Sequence, residues 1–264
     1  GQTLSEKQIK ALPVSNGMFQ TFFTDPLINV LVFFYNTIAF QDFGLAVIFL
    51  TLFIRIILYP LFYKSTKNQI LIQRLQPELV KIQHDHKDNK EKQAAAMMDL
   101  YKEHKVNPFS GFLSLILIQL PIIFALYQVF LKGLNTESFI VLYNFVPTPQ
   151  EINHYFLGLI DLSKRNAVIV VLAAIAQYFQ GKLSLSKNKK PIKDMTMAEQ
   201  MSRQMVFIGP GMTLVFLFYL SSAIGLYWLT SSVFSVIQQI VINKQLNVGE
   251  EKLVEIDKKL HEKK

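Results

Sequence analysis

Four long stretches of this chain are almost free of charge: residues 43–63, 106–131, 166–181 and 205–243. A helix needs roughly 20 apolar residues to cross the ~30 Å hydrocarbon core of a bilayer. Within that core every backbone N–H and C=O must be paired inside the protein, which restricts such segments to helices or closed barrels. The last stretch is about twice the length of one crossing, so it reads as two helices joined by a turn at Ser221 and Ser222. Five spans follow, and with them an all-α polytopic membrane protein. Composition agrees: 51% of residues are hydrophobic, mean hydropathy is +0.28, and the 17% that are charged gather between the runs. An ordinary soluble domain is excluded.

The spans fall at 43–63, 106–131, 166–183, 205–221 and 222–243. A shorter apolar segment, 27–40, carries Leu27, Leu31, Phe34 and Ile38 at helical spacing. It reads as a helix lying at the membrane interface, with a sixth span as the alternative. Lysine and arginine set the orientation. The segments 64–105, 182–203 and the tail from Lys244 hold 21 of the 27 basic residues, whereas 1–42 and 132–165 hold 5. The expected topology therefore has residues 1–42 and 132–165 outside, and 64–105, 184–204 and 244–264 in the cytoplasm. The net charge of +8 is mostly this cytoplasmic excess, which suits anionic headgroups and ribosomal RNA.

The loop 64–105 has a pattern of its own. Leu71, Leu75, Leu79 and Ile82 share a helix face, Pro77 marks a restart, and 84–92 is a polar turn. A return helix offers Ala95, Met98 and Tyr101. Two amphipathic helices across a polar turn predict an antiparallel hairpin in the cytoplasm. In the outer loop, the aromatic segment 138–147 suggests short helices at the interface.

Arg55 lies inside the first span. A cation at mid-membrane costs about 2.5–3.5 kcal/mol on insertion scales and normally faces a wet cavity or a partner. Snorkelling to the headgroups competes with that reading, but Ile56 to Tyr63 separate Arg55 from Lys64, about 12 Å at helical rise. Thr51 shares its helix face. Gln119, Gln177 and Gln180 lie on the second and third spans, and Trp228, Ser232, Ser235 and Gln239 form a stripe on the fifth. Polar groups of this kind often bond only between helices; grouped with an arginine they predict a shared hydrophilic surface. The spans contain no Asp or Glu, which argues against a proton relay or cation path. With no cysteine, disulfides and thiolate metal sites are excluded. His84, His86 and His104 read as solvated, and no nucleophile–base motif or phosphate loop is visible. Neither an enzyme nor a cofactor is expected.

Four stretches resemble the YidC/Oxa/Alb family of membrane protein insertases. They are TLFIRIILYPLFYKSTKNQILIQRLQPEL (51–79), LYKEHKVNPFSGFLSLILIQLPIIFALYQVF (100–130), YFQGK (178–182) and GLYWLTSSVFSVIQQ (225–239), in family order. The resemblance implies five helices around a hydrophilic groove that is open to the cytoplasm and lipid but closed outside. Arg55 matches the groove arginine and Trp228 the aromatic position of the last span. Gln180 matches a polar groove residue, with Gln177 as the competing alignment. The implied function is a membrane protein insertase and chaperone in a bacterial cell membrane. Its implied partners are nascent membrane-protein clients, lipids and the Sec translocon, with the ribosome and targeting factors reached through the hairpin and tail. A small-anion transporter using Arg55 as counter-ion is the alternative. The sequence departs from the family at Ser222-Ala223-Ile224, where many relatives carry a proline, and it shows neither a large periplasmic domain nor a lipidated cysteine.

Overall fold

The computed structural model describes residues 17–131, 141–183, 185 and 197–261; most of the expected cytoplasmic segment 184–204 before 197 and the start of the outer loop, 132–140, lie outside them. The chain is mostly helical. In order come α1 (Asp25–Thr37), α2 (Phe43–Ile57), α3 (Tyr59–Arg74), α4 (Gln76–Asp85), α5 (Lys90–Glu103), α6 (Ser110–Ser114) and α7 (Leu120–Leu131). The strands β1 (Tyr155–Phe156) and β2 (Ile160–Asp161) follow, then α8 (Ala167–Leu183), α9 (Met197–Phe218) and α10 (Ser222–His261). By length and apolarity the 26-residue segment Ser222–Asn247 can cross a bilayer alone. The apolar segments Ile116–Phe130, Ala167–Leu183 and Val206–Phe218 are shorter, and α2 has 15 residues before the chain breaks at Leu58 and restarts with Pro60 in the first turn of α3. Proline there lacks only an N–H that has no intrahelical partner anyway.

The described residues pack as two compact units. One holds the chain up to Ile56 with Leu115–Ala174 and Met212–Ser231; the other holds Ile57–Ser114, Ile175–Gly211 and the chain from Ser232.

In the first unit a π-helical turn, Gln20–Thr24, leads into α1. The buried face of α1 is Ile28, Leu31, Val32 and Tyr35, not the expected Leu27, Leu31, Phe34 and Ile38. The face is turned because α1 also holds the outer loop. Asn29 donates to the Val141 carbonyl (2.9 Å) and accepts from the Tyr143 N–H (2.6 Å), Asn36 donates to the Pro147 carbonyl (2.7 Å), and the Tyr35 hydroxyl accepts from the Asn153 N–H (2.9 Å). Residues 142–153 are accordingly irregular rather than the short helices expected, their backbone groups paired by side chains instead of by a helix. Asp42 caps α2 by accepting from the Leu45 N–H (2.8 Å), and its second oxygen accepts from Leu157 (2.5 Å) at the tip of the antiparallel pair β1–β2. Gly44 is required there, since a β-carbon would overlap the Phe156 side chain. This strand pair is the one departure from an all-α fold among the described residues.

Pro121 lies within the second span. The chain accommodates it by widening into a π-helical segment, Leu115–Gln119, just ahead of α7. The last helix begins at Ser222, and its first N–H groups have acceptors: Ser222 donates to the Lys164 carbonyl (2.9 Å) and Ala223 to that of Leu162 (3.1 Å). An apolar cluster of Val170, Ala173, Leu217 and Ile224 lies just beneath.

In the second unit α4 and α5 pack on each other through Leu75, Leu79, Leu100 and Val106, with Leu71, Ile72, Ile82, Met97 and Tyr101 around them. The return helix thus buries Leu100 and half-buries Met97, and the expected Ala95 and Met98 are exposed. Burial raises the Tyr101 hydroxyl above the usual tyrosine range. Asn89 caps α5 by accepting from the Lys92 N–H (3.0 Å). At the base Asn68 holds the returning chain, donating to the Asn107 carbonyl (2.7 Å) and accepting from the Asn107 N–H (2.8 Å). Two expected boundaries do not break the chain. α9 starts at Met197 and runs on through Pro210, and α10 continues past Lys244 to His261.

Candidate functional site

The predicted polar residues divide between the two units. In the first, Thr51 and Arg55 are buried on α2, one turn apart. Thr51 is spoken for locally, donating to the Val47 carbonyl (2.7 Å). Arg55, 7% exposed, donates through Nε to Ser231 Oγ (3.0 Å), and its Nη2 contacts the same hydroxyl. One turn before Ser231 on α10 stands Tyr227, beside Arg55 and buried; its hydroxyl accepts from Gln119 Nε2 (3.2 Å). A guanidinium, a serine hydroxyl, a phenol and a carboxamide therefore form one polar cluster in an apolar surround. Its members can bond an anion or a carbonyl, and all are neutral except the arginine.

Tyr227 and Ser231 lie one residue ahead of the sequence stripe at Trp228 and Ser232. The signal was present: Tyr227, Ser231 and Gln238 recur at i, i+4 and i+11. Trp228, one position round, packs half-buried against Val170, Ala173, Leu217 and Ile224.

The second unit holds Gln177, Gln180, Ser232, Ser235 and Gln239. Ser232 and Gln239 are buried on α10, and Ser235 is half-buried. Gln177 and Gln180 line one cavity of about 510 Å³, joined by Gln69, Gln73 and Gln76, which recur at i, i+4 and i+7 across α3 and α4. The competing alignments of Gln177 and Gln180 thus lead to the same chamber. Gly209 faces Gln177 across it, with 3.5 Å between the glutamine nitrogen and the point where a β-carbon would stand. No metal-binding cluster occurs among the described residues. Outside the apolar helices, Asp161 is held below the usual carboxylate range by the Ser163 hydroxyl and then by Lys164 (3.0 Å).

Residues 33–250 match the family model described as "60Kd inner membrane protein". The chain belongs to this family. Among its relatives is the "Membrane protein insertase YidC" of Chloroherpeton thalassium, 34% identical over 206 residues, which are 77% of this chain and 33% of that protein. The insertase of the same name from Oceanobacillus iheyensis is 31% identical over 238 residues, 89% of this chain and 87% of the other. "Membrane protein insertase YidC 2" of Bacillus anthracis is 31% identical over 244 residues, 90% and 86%. The chain therefore spans about a third of the length of the longer relatives it matches and most of the shorter ones. Family membership places it in a bacterial membrane.

Proposed function

We propose that this chain is a membrane protein insertase and chaperone. It receives the hydrophobic segments of newly made proteins and releases them into the bilayer, alone or beside the Sec translocon. The observation that carries the reading is the buried Arg55, bonded to the Ser231 hydroxyl in a chain whose apolar runs contain no acid. A cation kept in such a place at a cost of a few kcal/mol is explained by a visitor bearing acidic or carbonyl groups. In the first unit the client's polar flank would meet Thr51, Arg55, Gln119 and Trp228; in the second, Gln177, Gln180, Ser232, Ser235 and Gln239 would offer a hydrophilic surface of their own. The hairpin and basic tail lie on the cytoplasmic side and the N-terminal segment outside, as the 21 inward basic residues favour. Ribosome and targeting factors would be met there. No bound cofactor or chemical step is involved.

The test is photocrosslinking from a reactive amino acid at position 119 or 180 during synthesis of a short single-span client. Crosslinks to the client's apolar segment, followed by protease protection of its far side, are expected. Crosslinks confined to lipid and neighbouring helices would sink the proposal.

A further inference from the structure

A second cavity, about 740 Å³, opens in the second unit beside α3, α8 and α10. Its chemistry differs from that of the glutamine chamber. Two cations, Arg74 and Lys244, line it with the carboxamides of Asn243 and Asn247, and its described lining holds no carboxylate. The Arg74 Nη2 donates to Asn247 Oδ1 (2.6 Å), which fixes the plane of the guanidinium fork. Leu183 and Ile240 supply an apolar wall and are 36% and 51% exposed. The cavity lies where α8 and α10 pass from their apolar runs to their first lysines, Lys182 and Lys244. That transition marks the level of the lipid headgroups.

A guanidinium suits a phosphate through paired N–H donors, and an ammonium adds a second charge. Apolar side chains beside such a pair suit the first carbons of an acyl chain. Basic pockets at membrane helix ends are recognised sites for anionic headgroups. We propose that Arg74 and Lys244 bind the phosphate of one anionic phospholipid, with its chains against Leu183 and Ile240. The inference rests on the membrane location and not on the insertase reading.

Native mass spectrometry of the full chain, released from micelles doped with phosphatidylglycerol or phosphatidylcholine, tests it. The protein should retain one phosphatidylglycerol about tenfold more tightly than phosphatidylcholine, given two charge-assisted contacts. R74Q/K244Q should abolish the preference. K81Q/K87Q, which removes the same charge from the hairpin, should keep it. Should the double variant fail to fold, K244Q alone, at an exposed side chain, reads the same loss in part. Equal retention of both lipids, an unchanged preference in R74Q/K244Q, or an equal drop in K81Q/K87Q would overturn the proposal. Excess inorganic phosphate should leave the lipid in place; its displacement would assign the site to soluble phosphate and overturn the lipid as occupant.

Discussion

The Arg55–Ser231 pair supports a prediction in which two truncations of one contact have unequal effects. Arg55 is 7% exposed and Ser231 4%, so water screens their bond little. The two contacts with Ser231 converge on its one oxygen, so together they count as a single charge-assisted hydrogen bond, about 1.5–3 kcal/mol. Ser231→Ala removes the acceptor and leaves the cation buried, and should destabilise the fold by about that amount. Arg55→Ala also removes the bond but abolishes the roughly 2.5–3.5 kcal/mol penalty of a charge at this depth. Its net effect on stability should lie near zero. With the arginine gone, Ser231→Ala loses most of its cost, so the double variant should resemble Arg55→Ala. The coupling should exceed about 1 kcal/mol, where independent sites add to within about 0.5. Equilibrium unfolding in micelles measures the cycle, and insertion of reporter clients into proteoliposomes measures function. Arg55→Ala should impair clients with charged translocated flanks more than purely hydrophobic ones. Additive stabilities would refute the pairing, and equal loss across both client classes would remove the electrostatic role.

Four further outcomes are expected. Asn29→Ala should release the Val141 carbonyl and the Tyr143 N–H, cost about 2–4 kcal/mol, and speed amide exchange at Tyr143. Gly44→Ala should cost about 1–3 kcal/mol by overpacking against Phe156, and Phe156→Ala should restore part of the melting temperature. The folded-state pKa of Asp161 is depressed, so its contribution is full above the unfolded carboxylate range near pH 4 and is lost as pH falls through the lower folded value. Acidification should therefore speed exchange at the Ser163 amide, and Asp161→Asn should remove that dependence. Trp228→Ala should lower the melting temperature through lost packing with Val170 and Leu217, about 1.5–3 kcal/mol for a half-buried ring, whereas Trp228→Phe should retain most of it.

Apolarity and periodicity made the helices legible, because a membrane demands uninterrupted runs and the hairpin demands an apolar stripe. Arg55 announced itself by being a charge where none is affordable. Helix rotation was harder to read. On α1 the polar side chains Asn29 and Asn36 have partners over a hundred residues away, so the packed face follows the outer loop and not the densest apolar stripe. On the return helix Met97 and Met98 are equally apolar, and only Leu79 and Leu75 opposite decide which is the more buried. The same one-residue ambiguity shifted the polar stripe of α10. Ser231 and Ser232 are chemically identical, and the position of Arg55 across the gap selects the first.

The magnitudes also bear on whether such an arginine can release what it holds. On the proposed reading a client flank gains one charge-assisted bond at Arg55, about 1.5–3 kcal/mol. Each Leu, Ile or Phe side chain of the client that leaves water for lipid contributes a similar amount, about 1.5–3 kcal/mol. Two or three such side chains are enough to draw the flank away, so a site with one neutral-bonded cation can hold a polar segment without trapping it. An acid paired to Arg55 within the apolar runs would change this balance, since an incoming flank would first have to displace it. On the proposed reading, their lack of Asp and Glu would let a single arginine serve as a transient contact, with the client's own apolar burial as the driving force.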